Sequence, residues 1–201
     1  MVLMAIALTG CALAGTTPLP EDHFYRLPQP HPDETLDAPL VQGTVGVAPL
    51  RAEGLYHERS ILYVDTRSPL EIHRYHYQYW FTTPGNLIQG HLAEALLSAG
   101  IAAKVIRHEP GAPVQGLIGG TIERFEQVTG PGLDQARVTL NLVYSDAERL
   151  HAPVLNKTYT ATTPIAGQGM GGAVSAFGTA LNHIYNDFFH DLAVSLKESH
   201  S

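Results

Sequence analysis

The alternation of apolar and polar residues predicts strands over much of the chain. It is clearest in the stretch ARVTLNLVYSD, where Val138, Leu140, Leu142 and Tyr144 alternate with polar residues. A period of two places one set of side chains on each face of a half-buried strand. The same reasoning and runs of β-branched and aromatic residues predict six more strands. They cover residues 41–47, 61–65, 70–81, 102–108, 117–128 and 154–163.

A spacing of three and four between apolar residues predicts two helices. The first starts at Thr83-Pro84, with Thr at the N-cap and Pro at the first helical position, and stops before Gly100. The second covers residues 173–197 and has an apolar stripe that needs a covering layer. The stripe contains Phe177, Leu181, Ile184, Phe188 and Leu192.

The predicted order is β-β-β-α-β-β-β-β-α, which indicates a single α/β domain with one mixed sheet and helices packed on it. The chain has 201 residues, of which 44% are hydrophobic, enough for a sizeable core. Its net charge is −7, and its 12 Lys and Arg residues form no cluster. This charge distribution argues against nucleic acid as a partner.

The only cysteine, Cys11, follows an uncharged apolar run at residues 2–8 that is too short to span a bilayer. A lone cysteine can be a small buried residue, a reactive thiol or an attachment point. The run Leu8-Thr9-Gly10-Cys11 resembles a bacterial lipobox, in which the cysteine is acylated after cleavage just before it. The usual basic n-region is missing, which a start codon further upstream would explain. An apolar N-terminal strand or helix is the alternative.

Residues 12–39 are rich in proline and show no amphipathic period, so they read as an extended tether. The predicted organisation is therefore a signal-peptide remnant at 1–10, a lipidated Cys11 and tether at 11–39, and a globular domain at 40–198. By resemblance to sorted bacterial lipoproteins, Ala12 favours the outer membrane, with the domain facing the periplasm.

The loop GQGMGG matches the dinucleotide-binding pattern G-x-G-x-x-G before a helix. Few residues follow that helix here, so we expect no second strand and no acidic residue placed to hold a ribose. A hinge for the last helix, or a weak anion site at its start, remains. The glycines of the pattern are Gly167, Gly169 and Gly172.

The eleven histidines do not show the spacing of a metal site. His73 and His76 lie three apart on a predicted strand and so point to opposite faces. His57-Glu58 begins like a zinc-protease motif, but Ile61 replaces its second histidine. We therefore predict no metal and no cofactor.

The sequence also lacks a recognisable nucleophile. Ser98 lacks the first glycine of a nucleophile elbow, and Ser175 lacks both glycines. Asp65 stands at a strand end without a partner that the sequence can name. We predict no catalytic residues and no enzymatic activity.

One predicted strand carries aromatic residues on both faces. Tyr75, Tyr77 and Tyr79 lie on one face and Trp80 on the other. Core packing accounts for one face, and the second is a candidate surface for a partner or a ligand.

Taken in order, these motifs resemble the ABC-type transport auxiliary lipoprotein component family, the paraquat-inducible protein C-like group. The resemblance covers about residues 23–196. It rests on the lipobox, FYRL, VGVAPL, the aromatic strand ending at Trp80 with Pro84 beyond, GGTIERFEQV, the alternating strand and the terminal helix.

The resemblance implies a three-layer α/β/α domain without a catalytic site. It also implies a role beside an MCE-domain protein and ABC transporter subunits that move lipids. We therefore expect a non-enzymatic auxiliary lipoprotein, held to membrane lipid through Cys11 and able to self-associate. The alternatives are a stand-alone lipoprotein that binds a small ligand or cell-wall fragment, and an envelope hydrolase.

Overall fold

A computed structural model describes residues 20–146 and 153–199, so Cys11 and the predicted signal remnant lie outside the described residues. The described part contains nine strands, two α-helices and one 3₁₀ helix at Gly54–His57. The helices are α1 (Pro84–Ser98) and α2 (Gly169–Ser199). The strands are β1 (His23–Tyr25), β2 (Val41–Val47), β3 (Arg51–Ala52), β4 (Ser60–Asp65), β5 (His73–Trp80), β6 (Ala102–Arg107), β7 (Gly116–Gly130), β8 (Leu133–Asp146) and β9 (Leu155–Pro164).

All nine strands form one mixed sheet around the long strand β7. Along one side, β7 pairs antiparallel with β8, which pairs with β9. Along its other side, β7 pairs in parallel with β2, β3 and β4 in turn. β6 then adds to β2, while β5 and β1 extend the sheet beyond β4. The chain is thus the mixed α/β domain that the sequence predicts.

Both helices pack on the same face of this sheet. On α1, Gly90 lies against Arg107, which stands beside Val47 in the β2–β6 register. On α2, Phe188 packs against Tyr159 of β9. The two helices also meet directly, through the rings of His91 and Tyr185. The domain therefore has two layers, which corrects the three-layer arrangement that the family resemblance implied.

The core lies between the helices and this face of the sheet. Trp80 is 1% exposed and contacts Phe125 of β7 and Phe177 of α2. The apolar residues of β8 predicted from the alternation face the core: Val138, Leu140, Leu142 and Tyr144 are all buried. Such burial of apolar surface is the main stabilising term for the fold.

The opposite face of the sheet carries neither α-helix of the described part, but the 3₁₀ helix lies against it. Glu126 is buried there, where it pairs with Arg137 and accepts a hydrogen bond from Tyr56 of the 3₁₀ helix. Burial, more than this bond, raises the pKa of Tyr56. The paired carboxylate shows how a charge is accommodated at a buried position.

Candidate functional site

The segment that leads into the domain is held along its length. We call residues 23–36 the strap. It begins with β1, which pairs in parallel with β5 at the sheet edge, and Tyr25 donates a hydrogen bond from its Oη to Gln78 Oε1 at 2.6 Å. Beyond β1 the strap crosses the helical layer between α1 and α2.

The strap contacts α2 at three positions that are four residues apart. Residues at this spacing lie on the same face of a helix. Gly178 lies under Pro28: a Cβ at Gly178 would approach Pro28 Cδ to 2.8 Å. One turn on, Asn182 Oδ1 accepts a hydrogen bond from the backbone N–H of His31 at 3.3 Å. One turn further, Asn186 Oδ1 accepts from the N–H of Asp33 at 3.2 Å.

A buried histidine on α1 joins the strap to both helices. The carbonyl of Pro28 can only accept, so His91 Nε2 carries the proton and donates to it at 3.0 Å. His91 Nδ1 then accepts from the hydroxyl of Tyr185, 3.2 Å away. Burial lowers the pKa of His91 to about 4. The neutral ring thus fixes the strap near neutral pH.

The strap ends against the C-terminus of α1. Leu36 donates its N–H to the carbonyl of Ala99 at 3.0 Å. Gly100 has φ of +69° there, and a Cβ at this position would come 2.9 Å from the Leu36 carbonyl. A glycine stop after α1 therefore serves both the helix end and the strap contact.

The strap shows that the predicted tether at residues 11–39 is partly folded. Residues 23–36 belong to the folded domain, although the sequence assigned all of 11–39 to a flexible segment. The cause is that the strap's bonds go to residues far away in sequence, which local composition cannot show. Only twelve positions separate Cys11 from His23, a distance of at most about 45 Å if fully extended.

The four aromatic residues of β5 that were predicted as a contact surface lie in different environments and do not form one surface. Trp80 is a core residue, so it is not available to a partner. Tyr75 is half-buried, and its Oη donates to Gln127 Oε1 at 3.0 Å. Tyr77 has φ of +62°, which breaks the strand alternation and leaves its side chain 42% exposed. Tyr79 is partly exposed and stacks on Phe24 with ring centroids 5.7 Å apart.

A feature that the sequence analysis missed lies where the strap begins. Phe24 and Phe81 are 55% and 46% exposed. Arg59 Cζ lies 5.1 Å from the Phe24 ring centroid, and Arg26 Cζ lies 5.5 Å from that of Phe81. With Tyr79, these residues form what we call the aromatic corner. Only the pairing of β1 with β5 brings Phe24 to this position, so no local motif could have indicated it.

The side chains considered as catalytic or metal-binding candidates do not come together in one site. Asp65 binds Arg67, whose hydrogen bonds lower the pKa of the carboxyl to about 2. Ser175 donates to the carbonyl of Gly171 in its own helix. His73 stacks on Tyr63. Within residues 20–146 and 153–199, no three His, Cys, Asp or Glu side chains gather in a group that could hold a metal ion.

The glycine-rich loop opens α2 directly. Gly167 and Gly169 have φ of +83° and +75°, and Gly172 packs against the Ala166 carbonyl. Their role here is a sharp turn from β9 into the helix. Over the described ranges, neither α1 nor α2 combines the length and apolar character that a membrane span requires.

A groove of about 510 Å³ lies between the strap and α1. Arg26, Gln89, His91 and Arg107 are among its polar lining residues, and Pro28 and Phe81 contribute apolar surface. Gln89 is buried and donates to the carbonyl of Val47 at 2.8 Å. The groove therefore combines charged, amide and apolar side chains around one hollow.

The fold recurs in solved structures. The crystal structure of protein XCC0632 from Xanthomonas campestris, of family model DUF330, matches with a TM-score of 0.75 and 18% identity. The match covers 89% of this chain and all of that one. An uncharacterized protein follows, with a TM-score of 0.66 and 9% identity, over 86% of this chain and 99% of that one.

The hypothetical protein CT253 from Chlamydia trachomatis has a TM-score of 0.52 and 9% identity, over 78% of this chain and 98% of that one. These similarities show a shared fold. No protein-family model and no curated protein matches the sequence.

Proposed function

We propose that this chain is a lipoprotein of the bacterial cell envelope, anchored through an acylated Cys11, whose domain is a non-enzymatic auxiliary subunit. The observation that carries the proposal is the strap. It joins the segment after the lipobox to β5, α1 and α2 by hydrogen bonds. A lipid at Cys11 would therefore hold a defined face of the domain close to the membrane, since at most about 45 Å of chain separates the two.

The finer proposal is that the domain serves an ABC and MCE system that moves lipids between membranes. Its support is the sequence resemblance described above, whose implied α/β domain agrees with the structure in its mixed sheet but not in the number of layers. The exposed apolar side chains of the domain also favour a protein that docks over one that encloses a ligand.

The anchor is tested by mass spectrometry of the protein purified from its native host. We expect an N-terminal Cys11 carrying acyl chains, and we expect Cys11→Ser to move the protein from the membrane fraction to the soluble one. An unmodified Cys11 thiol behind an intact Met1 would overturn the anchor. Cys11 lies outside the described residues, so the substitution leaves the described contacts in place.

The auxiliary role is tested genetically and biochemically. Detergent-solubilised, tagged full-length protein should copurify with an MCE-domain protein and the ATPase and permease of one transporter. Deleting the gene should change the lipid composition of the envelope as deleting the transporter does. Loss of the protein without such a change, and copurification without any of the three components, would contradict the role.

Self-association is part of the same proposal. β9 is a ten-residue strand that pairs with β8 alone among the described strands. An edge of this length offers backbone hydrogen-bonding groups to another strand. Sedimentation of the detergent-solubilised protein measures its oligomeric state. A monomer at all concentrations would exclude self-association.

A stand-alone lipoprotein that binds a small ligand is the second candidate. The groove beside the strap favours it, because Arg26 and Arg107 lie with buried Gln89 around one hollow. In that case Arg107→Gln should abolish retention of a ligand that copurifies with the parent. The auxiliary role predicts no such ligand and no loss of partner binding.

A further inference from the structure

The aromatic corner exposes much apolar surface at one place. Phe24 lies on β1, and Phe81 directly follows β5 and donates its N–H to the carbonyl of Tyr25 at 2.9 Å, so the strand pairing brings the two backbones together. Their rings are about half exposed, and Tyr79 extends the surface by stacking on Phe24. A rigid aromatic cluster in water usually marks a contact surface.

The two arginines of the corner make no ion pair within the described part of the chain. Arg59 donates to the carbonyls of Trp80 and Phe81 at 3.1 and 3.0 Å, which fixes the guanidinium without cancelling its charge. Neither Arg26 nor Arg59 makes an ion pair with a carboxylate in the described part of the chain. Acids also lie nearby: Asp22 and Glu58, which Arg74 binds at 2.6 Å, line the hollow beside Phe24. Glu94 and Glu109 line the groove that contains Arg26 and Phe81.

The corner is also the part of the domain next to the proposed anchor. β1 is the first element of the described chain, and twelve positions link it to Cys11. Leu70 belongs to the loop at the opposite end of the β4–β5 hairpin and is 97% exposed. The hairpin thus offers one apolar surface beside the anchor and one away from it.

We infer that the aromatic corner rests on the phosphate headgroups of the membrane that holds the Cys11 lipid. The inference rests on the proposed anchor. Aromatic rings prefer the headgroup level of a bilayer, and arginines beside them bind phosphate. Because the strap fixes the corner to α1 and α2, this contact sets the orientation of the whole domain on the surface.

The test uses the full chain with Cys11→Ser, so that no acyl chain contributes. Binding to vesicles of phosphatidylethanolamine and phosphatidylglycerol is measured by flotation. Phe24→Ser with Phe81→Ser should weaken binding at least about tenfold, the loss expected for two half-exposed rings. Leu70→Ser with Leu97→Ser is the matched control, which removes two exposed apolar residues elsewhere and should leave binding unchanged.

A second pair of variants tests how much the arginine charge contributes to vesicle binding. Arg26→Gln should weaken binding to the same vesicles about fivefold, and the loss should shrink in high salt. Arg67→Gln removes the same charge from the loop at the other end of the hairpin and should have no effect. Phe81→Ser alone serves if the double variant fails to fold.

The outcomes separate this inference from the proposed function. Equal weakening in the aromatic and control pairs, or none in either, would overturn the corner as a membrane contact. If the corner variants lose binding while native Cys11 proves unacylated, the proposed anchor fails and the membrane contact stands. If Cys11 is acylated and the corner variants bind like the parent, the anchor stands and the contact fails.

Discussion

Gly178 is the position where the strap lies closest to α2. Adding a methyl group there would push Pro28 from the helix, at a cost of about 1–3 kcal/mol that exceeds the helical gain from alanine. We expect Gly178→Ala to lower the free energy of unfolding by about 1–2 kcal/mol in urea. The probe is fluorescence of Trp80, the only tryptophan, which contacts the neighbouring Phe177.

Gly171 supplies the control for this prediction. It is an exposed position in the same helix, and a Cβ there would meet nothing within 4 Å. Gly171→Ala should therefore raise the free energy of unfolding by about 0.5–1 kcal/mol, because alanine favours the helix. A loss of stability from both substitutions would show that Pro28 is not the cause.

His91 predicts how stability depends on pH. Its pKa falls from 6.5 to about 4 on folding because burial disfavours the charged ring. As the pH drops from 6.5 toward 4, the unfolded chain takes up a proton first, so the free energy of unfolding decreases. Above pH 6.5 the ring is neutral in both states and adds no pH dependence. The loss amounts to at most about 3 kcal/mol.

Urea titrations between pH 4 and 7.5 measure this effect. We expect the free energy of unfolding to decrease less below pH 6.5 in His91→Gln than in the parent. The difference should be at most the contribution of the His91 ring. His183→Gln removes an exposed imidazole from α2 and should keep the slope of the parent. An unchanged slope in His91→Gln would place the pH dependence elsewhere.

At the scale of elements, the strap is held to α2 by amide side chains. Asn182→Ala with Asn186→Ala removes both acceptors from the His31 and Asp33 amides. We expect hydrogen exchange at these two amides to become at least about tenfold faster while β8 stays protected. Ser175→Ala with Thr179→Ala is the control, since both hydroxyls bond to their own helix. Equal exchange in both double variants would contradict the assignment.

Elements with long periodic stretches were predictable from the sequence. α1 begins at Pro84 as the Thr-Pro signal indicates, and β8 buries the even-numbered residues of its alternation. The missed strands, β1 and β3, have three and two residues and so show no period. They exist because longer strands lie beside them.

The candidate site was less predictable than the fold, for two physical reasons. Its bonds join residues more than 50 positions apart, such as Pro28 to His91 and His31 to Asn182. In addition, the left-handed conformation of Tyr77 interrupts β5, so alternation assigned Tyr75, Tyr77 and Tyr79 to one face that they do not share as a surface. Neither long-range pairing nor a single unusual φ leaves a local pattern.

At the scale of the whole molecule, the residue after Cys11 should determine which membrane holds the domain. If the proposed anchor holds, the resemblance to sorted lipoproteins predicts that Ala12 sends the protein to the outer membrane and that Ala12→Asp retains it in the inner one. Density-gradient separation of the two membranes measures the change. Ala12→Ser is the control that keeps a small uncharged residue. An unchanged distribution for Ala12→Asp would contradict outer-membrane sorting.

The way in which the strap is attached has a mechanical consequence. A pull on the N-terminus, as when a membrane and a docked partner move apart, would reach the three-residue β1 first. The force would then act on the contacts of Pro28, His31 and Asp33 one after another. The strap would therefore detach from the helices in steps and not in a single event. Each released residue would lengthen the segment between the membrane and the domain by about 3.5 Å. The other eight described strands would stay paired. The domain would yield gradually under tension and recover when the tension ends.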